Sequence, residues 1–453
     1  DKRNGWRGPI TNIFEDNDWK NIIDSLEIDE TLDWKIAEVF NISDYYSDIR
    51  LLKDKTKHQI SFENLEWTKK KNFDQLFEIG DLIFVKKDKK SNWVLKQLPL
   101  VNGSIVVMNP HNGKVKALVG GYSFVSSEFN RATQAKRQPG SAFKPIVYAA
   151  ALENGFSPNS IILDAPFVES QGVGLKNWKP ENYGKKFYGP STLRKGIEYS
   201  RNLMTIRIAK ILGLETILEL SKRLDIYDEI PELLSVSLGA AETTLLNLTS
   251  AYAPFVNGGK KRKPNLISRI QDRRGKTIFL QENRKCIGCD QFINQSSELP
   301  KIESTQERIF SEETAYQMTT ILNGAVERGT AKKLKSLNVP LAGKTGTTNN
   351  NYDAWFIGFT SDLVIGVYIG YDEPRTLGKY ETGSKVALPV FKRFIETALF
   401  KEDLKPFKVP EGIYLYPIDY DTGKISNFDD DKAITESFKE KTSKKIEYKN
   451  LNF

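Results

Sequence analysis

Arg137-Gln-Pro-Gly-Ser141-Ala-Phe-Lys144-Pro-Ile-Val-Tyr-Ala-Ala-Ala-Leu-Glu153 is the stretch from which the rest of the chain can be read. Pro139 and Gly140 break the chain, and the Ala-rich apolar run after them has the period of a buried helix. Ser141 falls at the start of that helix and Lys144 one turn on. Residues three apart share a helix face, so hydroxyl and amine can meet. A Ser alcohol is a poor nucleophile until a base takes its proton. A lysine can be that base when burial, a helix N-terminus or a second cation lowers its pKa. Alone, Ser-x-x-Lys is more often a capped helix beside a surface lysine. Two features favour chemistry here: the motif occurs once in the chain, and the helix it opens is apolar.

With 453 residues, two or three domains and a large core are expected. The composition is globular, 39% hydrophobic and 27% charged. The net charge is +8, yet acids and bases are intermixed, with no Arg/Lys stripe threaded by aromatics. That argues against nucleic acid as a partner; an anionic polymer or a membrane surface suits the balance better. The chain starts at Asp1 and shows neither a signal peptide nor an apolar run of about 18 residues. It reads as a soluble fragment of a longer protein. Cys286 and Cys289 form a C-x-x-C, and the histidines are His58 and His111. That set does not make a mononuclear zinc site. A loop disulfide is the expectation, with inert thiols as the alternative.

Residues 1–99 carry short β-like runs at 34–40, 49–52, 58–62, 82–85 and 93–98, separated by turn and charge clusters. They suggest a small all-β barrel of OB-like type, after the lead-in Gly5-Trp-Arg-Gly-Pro9. From residue 100 to 404 the texture changes. A hairpin, 104–119, comes first, then the Ser141 helix, a loop-rich stretch at 155–200, and helical patterns at 203–212, 214–224, 242–256 and 311–328. A further hairpin is expected at 264–280, and strands at 354–359 and 363–369. The fold class is α+β, an antiparallel sheet flanked by helices. Residues 405–453 turn polar and Lys-rich and read as a tail of low functional content.

Two further motifs join the first: Ser200-Arg-Asn202 just before a helix, and Lys344-Thr345-Gly346 on a strand. Ser-x-Asn recurs at 157–159 and 336–338, in loops, whereas Lys-Thr-Gly occurs once. Each motif is weak alone; the ordered set of Ser-x-x-Lys, Ser-x-Asn and Lys-Thr-Gly is specific.

On these residues, with Asp353-Ala-Trp-Phe356 after the third motif, the chain resembles the transpeptidase region of class A penicillin-binding proteins of the 1A type. The likeness runs from about residue 100 to 400. The β-rich block before it resembles the OB-like insertion of that family. Class A β-lactamases usually place Asp where Arg201 stands, which favours the transpeptidase. The resemblance implies a penicillin-binding transpeptidase fold and a D-Ala-D-Ala stem peptide attacked by Ser141. Lys144 would be the base, Ser200 a proton relay and Asn202 an orienting amide. Lys344 would be a cation near the site. Thr345 and Thr347 would bind the substrate carboxylate, Gly346 would allow close approach, and the N–H groups of Ser141 and Thr347 would form the oxyanion hole. No metal or organic cofactor is implied. Expected partners are peptidoglycan stem peptides, β-lactams and, through the OB-like domain, cell-wall synthesis proteins. A glycosyltransferase domain and membrane anchor are expected upstream, putting the protein on the periplasmic face of a bacterial inner membrane. A carboxypeptidase or β-lactamase-type hydrolase is one alternative, a non-catalytic penicillin-binding sensor or scaffold another.

Overall fold

In the computed structural model of the chain, the described residues are 5–26, 32–170, 176–281, 285–289, 300–303, 306–400 and 404–439. They fall into two compact units: Asp1–Asn102 with Gly121–Phe129, and Gly103–Gly120 with Asn130–Phe453.

The first unit is a β domain. It comprises β1 (Thr11–Asn12), α1 (Trp19–Ser25), β2 (Lys35–Ile42), β3 (Tyr46–Leu51), β4 (Lys57–Ser61), β5 (Asp81–Lys87) and β6 (Trp93–Lys96). The strands are ordered β1-β5-β2-β3-β4, with β6 also on β5. In β3, buried Ser47, Ile49 and Leu51 alternate with less buried neighbours, the period-two pattern of a half-covered strand. β5 is buried without a break from Asp81 to Val85, as its place between β1, β2 and β6 requires. The aromatic residues divide: Phe73, Phe77 and Phe84 are buried and Trp6 meets Trp67 and Phe77 edge-on, whereas Phe14, Tyr45 and Phe124 are exposed. Trp6 Nε1 also donates to the Leu76 carbonyl at 3.0 Å, so the lead-in is pinned to this core. Residues 121–129 were expected in the second domain but belong here. Tyr122 lies 6.1 Å from the Trp34 ring, and its N–H donates to Asn102 Oδ1.

The second unit contains a sheet in the order β15-β16-β17-β7-β8. Its elements in chain order begin with the hairpin β7 (Asn102–Met108) and β8 (Val115–Val119), then α2 (Lys144–Glu153). A ribbon, β9 (Ile161–Asp164) and β10 (Gly189–Thr192), lies within the stretch read as loop. Helices α3 (Leu193–Glu198), α4 (Asn202–Leu212), α5 (Leu214–Arg223), α6 (Leu245–Ala251) and α7 (Ala253–Val256) follow. Next come the ribbons β11 (Arg269–Gln271) with β12 (Thr277–Leu280), and β13 (Lys285–Ile287) with β14 (Lys301–Glu303). Then come α8 (Glu312–Glu327), β15 (Ala342–Thr347), β16 (Asp353–Phe359), β17 (Val364–Gly370), α9 (Gly383–Ala398), β18 (Tyr414–Asp419) and β19 (Ala433–Phe438). Every residue of α2 from Lys144 to Leu152 is buried, because α4, α5 and α8 surround it. Helix α8 starts where Ser311 predicts: its Oγ accepts from Thr314 N at 3.2 Å, with Glu312 and Glu313 in the first turn. Cys286 and Cys289 are joined in a disulfide.

The C-terminal stretch read as a polar tail is, through Phe438, part of this unit. β18 and β19 form an antiparallel hairpin in which Glu436 and Ser437 are buried. Gln317 Nε2 of α8 donates to the Ser437 carbonyl at 2.9 Å, and Asn159 Nδ2 donates to the Gly423 carbonyl at 2.9 Å. Polarity misled here because the hairpin docks through ion pairs and hydrogen bonds as well as apolar faces. Residues 440–453 lie outside the described residues. Among the described residues, no helix is long and apolar enough to cross a membrane.

Candidate active site

Ser141 lies in a 3₁₀ turn, Gly140–Ala142, that leads through Phe143 into α2. Neither start makes a side-chain cap bond, so Ser141 is not the capping serine of the alternative reading. The turn is held on three sides. Gly140 N–H donates to the Gly239 carbonyl at 3.1 Å, Phe143 N–H to the Gly140 carbonyl at 3.0 Å, and Tyr252 Oη to the Ala142 carbonyl at 2.5 Å. Gly140 has φ +52°, and a Cβ there would collide with the Thr347 carbonyl. Only glycine lets this turn lie against β15.

Lys144 is wholly buried. Its Nζ donates to the Ser200 carbonyl at 2.7 Å and to Asn202 Oδ1 at 2.6 Å, with Ser200 Oγ at 3.4 Å. Its described hydrogen bonds run to Ser200 and Asn202, not to Ser141 as the i, i+3 spacing suggested. Burial first, then the charge of Lys344, holds its pKa well below the usual lysine range, while Asp164 pulls the other way. A neutral amine has two N–H bonds and one lone pair. In that neutral form the two short bonds would use both N–H groups, and the longer contact to Ser200 Oγ would be where the lone pair meets a hydroxyl.

Ser200 occupies the turn between α3 and α4 with φ +57°, a left-handed conformation costly for a residue with a Cβ. Its Oγ accepts from Lys344 Nζ at 2.8 Å. The hydroxyl therefore stands between the amines of Lys144 and Lys344. Lys344 is also wholly buried, on β15, and burial brings its pKa down to about 7.

β15 is an edge strand of its sheet. A Cβ on Gly346 would collide with the Pro139 carbonyl, so strand and serine turn are in close contact. Thr345 Oγ1 donates to Thr330 Oγ1 at 3.0 Å, and Thr347 Oγ1 accepts from the N–H of Gly383 at 3.0 Å. Ser141, Ser200, Asn202, Thr345, Thr347 and Trp178 line one cavity of about 510 Å³. A serine hydroxyl at the cavity wall, and a second, that of Ser200, in contact with two buried amines, are groups suited to acyl transfer. Among the described residues, no group of His, Cys, Asp or Glu is placed to hold a metal ion.

Residues 103–396 match the penicillin binding protein transpeptidase domain, and residues 6–101 match the penicillin-binding protein OB-like domain. The chain belongs to the penicillin-binding proteins. It is a class A transpeptidase region of the 1A type with its OB-like domain. Penicillin-binding protein 1A of Rickettsia felis is 44% identical over 435 residues, covering 94% of this chain and 54% of that protein. Its counterpart in Pseudomonas aeruginosa is 36% identical over 394 residues, 80% of this chain and 48% of that protein. The crystal structure of penicillin-binding protein 1A from Haemophilus influenzae is similar at TM-score 0.83 and 33% identity, covering 97% of this chain and 68% of that one. The chain spans about half the length of the curated relatives it matches.

In this penicillin-binding protein, Asn202 is more constrained than its motif suggests. While Oδ1 accepts from Lys144, Nδ2 donates to the Glu181 carbonyl at 2.7 Å. Arg201 makes no side-chain cap for α4; Asn182 Oδ1 accepts from Asn202 N–H at 2.8 Å instead. Asn182 is buried and donates in turn to Asp164 Oδ1 at 2.8 Å. Sequence reading passed over it as one residue of a polar loop, 20 positions from the helix it caps. The Arg201 guanidinium goes to Ser191 Oγ at 2.7 Å and over the Tyr188 ring. Helix α9, whose first residue holds Thr347, also escaped the sequence reading. It begins with Gly383 and contains Pro389, both poor helix signals.

Proposed function

We propose that this penicillin-binding protein cross-links peptidoglycan stem peptides through an acyl-enzyme on Ser141. The observation that carries the reading is the convergence of two buried lysines from separate motifs on the Ser200 hydroxyl, beside the Ser141 cavity. Ser141 Oγ attacks the carbonyl of the D-Ala-D-Ala bond, and its proton goes to Lys144. The O–C bond forms, the C–N bond breaks, and the proton passes through Ser200 to the departing D-Ala nitrogen. Asn202 orients Lys144. Lys344 attracts the terminal carboxylate, which the Thr345 and Thr347 hydroxyls bond, and Gly346 lets the strand approach the peptide. Backbone N–H groups of Ser141 and Thr347 receive the oxyanion; losing one such donor costs about 10²–10³ in rate. An amine from a neighbouring stem then completes the cross-link, and water yields the carboxypeptidase product. A β-lactam acylates Ser141 and stays.

For the whole protein we propose an upstream glycosyltransferase domain and membrane anchor, in the length of the relatives that this chain does not span. The site would then face the periplasm from the inner membrane, with the OB-like domain open to other cell-wall synthesis proteins. Labelling with a penicillin, digestion and mass mapping tests the acyl-enzyme: the adduct is expected on Ser141. Mixed donor and acceptor stem peptides should give a cross-linked dimer. Release of D-Ala with no dimer would reassign the chain to the hydrolases.

The two lysines also set a pH profile. Lys144 acts unprotonated and Lys344 protonated. The second-order acylation constant of the free enzyme therefore rises from acid pH as Lys144 loses its proton, then falls through a basic limb near pH 7 as Lys344 loses its own. Lys344→Arg keeps a charge at all accessible pH, so the basic limb disappears from whatever activity remains. A wild-type profile level from pH 6 to 9 would remove the Lys344 charge from the mechanism.

A further inference from the structure

We propose that the C-terminal hairpin β18–β19 is a positioning element for Ser200, acting through a cluster of Glu436, Arg194, Glu198, Arg328 and Tyr420 whose first three members are buried. This inference rests on the reading of Ser200 as the proton relay. Glu198 is the last residue of α3, two positions before Ser200, and is wholly buried. Its carboxylate accepts from Arg194 Nη1 at 3.3 Å, Arg328 Nη2 at 2.7 Å and Tyr420 Oη at 2.7 Å. Its backbone carbonyl accepts from Thr330 N–H at 3.1 Å, and Thr330 Oγ1 accepts from Thr345 of the third motif. Helix α8 and the turn after it leave a slot for Glu198. A Cβ on Gly324 would collide with its carboxylate, and one on Gly329 with its carbonyl.

The hairpin completes this cluster. Glu436 on β19 grips Arg194 through both Nε and Nη2, the latter at 2.6 Å. Tyr420, just after β18, donates to Glu198, and the Arg328 guanidinium lies 5.1 Å over its ring. Two carboxylates thus face two guanidinium groups; Glu198, Glu436 and Arg194 are buried, and Arg328 is partly exposed. Remove the Glu436 charge, and Arg194 is left with Glu198 as its charged partner in the cluster, which Glu198 shares with Arg328 and Tyr420. A buried cation that loses its partner pulls strongly on what remains. The load falls on Glu198, and Ser200 follows two residues on in a strained left-handed turn. Burial, then Glu198, pushes the Tyr420 hydroxyl up, so it remains a donor. Burial works against the charge on Arg194, and Glu436 and then Glu198 together outweigh it and hold the guanidinium protonated.

The test uses the full chain and a labelled penicillin, separating the acylation rate at saturation from the pre-covalent Kd. Glu436→Gln is expected to slow acylation about tenfold, short of the ~10²-fold that a 1 Å misplacement can cost. Its Kd should stay within about twofold, since the cavity is lined by other residues. Glu436→Asp, which keeps the charge, should recover most of the rate. Asp421→Asn, on the exposed side of the same hairpin where Asp421 pairs with Lys195 and Lys432, should leave the rate unchanged. Should Glu436→Gln fail to fold, Tyr420→Phe removes a single hydroxyl and is expected to slow acylation about threefold, again without a change in Kd. Combined with Ser200→Ala, Glu436→Gln should add no further loss, because both act on one relay. Wild-type acylation in Glu436→Gln, or in Tyr420→Phe when the first variant does not fold, beside a slow Ser200→Ala overturns the hairpin inference alone. A further loss in the double variant does the same. Wild-type acylation in Ser200→Ala overturns the relay reading and this inference with it.

Discussion

Ser141→Ala protein is expected to take up no labelled penicillin. A methyl group has no lone pair to attack the lactam carbonyl, so the covalent step has no route. Where nucleophile and base work as a unit, removing the serine costs about 10⁶ in rate. The loss belongs to bond formation alone. The rest of the cavity, including Asn202, Thr345 and Thr347, is unaltered, so the pre-covalent Kd should change by less than about twofold. Stability gives a second reading of the same variant. A capping serine replaced by alanine costs about 1 kcal/mol. Ser141 makes no cap bond in the 3₁₀ turn, so the melting temperature should match wild type within error. A persistent adduct would place the nucleophile elsewhere. Normal uptake with lowered stability would return Ser141 to the role of a structural residue.

Lys144→Met is expected to slow acylation by about 10²–10⁴, the usual contribution of a positioned general base. The acid limb of the pH profile should vanish with it, because that limb is the loss of the Lys144 proton. Lys144→Arg should not rescue the rate. A guanidinium stays protonated and cannot accept the serine proton, although it carries the charge a purely electrostatic role would need. Rescue by arginine would show that Lys144 acts as a cation, and the base assignment would fall. Loss of pre-covalent binding instead of rate would place Lys144 in substrate binding. The base role is the one we propose; what supports it is the burial of Lys144, which lowers its pKa, and its two short bonds to Ser200 and Asn202.

Much of the fold was legible because its signals are local. The alternation of Ser47, Ile49 and Leu51 marks β3, and Ser311 followed by Glu312 and Glu313 marks the start of α8. The polar C-terminal stretch carried the opposite message. Glu436 and Ser437 look like surface residues until Arg194 and Gln317 are brought to them. Asn182 is silent for the same reason: a capping amide that arrives from a loop has no period and no fixed spacing from the helix it serves.

What the sequence by itself determined was the set of groups able to do chemistry. A serine after a Pro-Gly break, a lysine one turn on, a Ser-x-Asn before a helix and a Lys-Thr-Gly on a strand are short patterns, each readable from its own neighbours. Only the tertiary structure decided which of these groups touch. It turned Lys144 toward Ser200 and Asn202, put Ser200 between two amines, and set Glu436 against an arginine 242 positions away. Contacts of that separation depend on how helices and strands pack. Burial, which lowers the pKa of both lysines, comes into being only when that packing is complete.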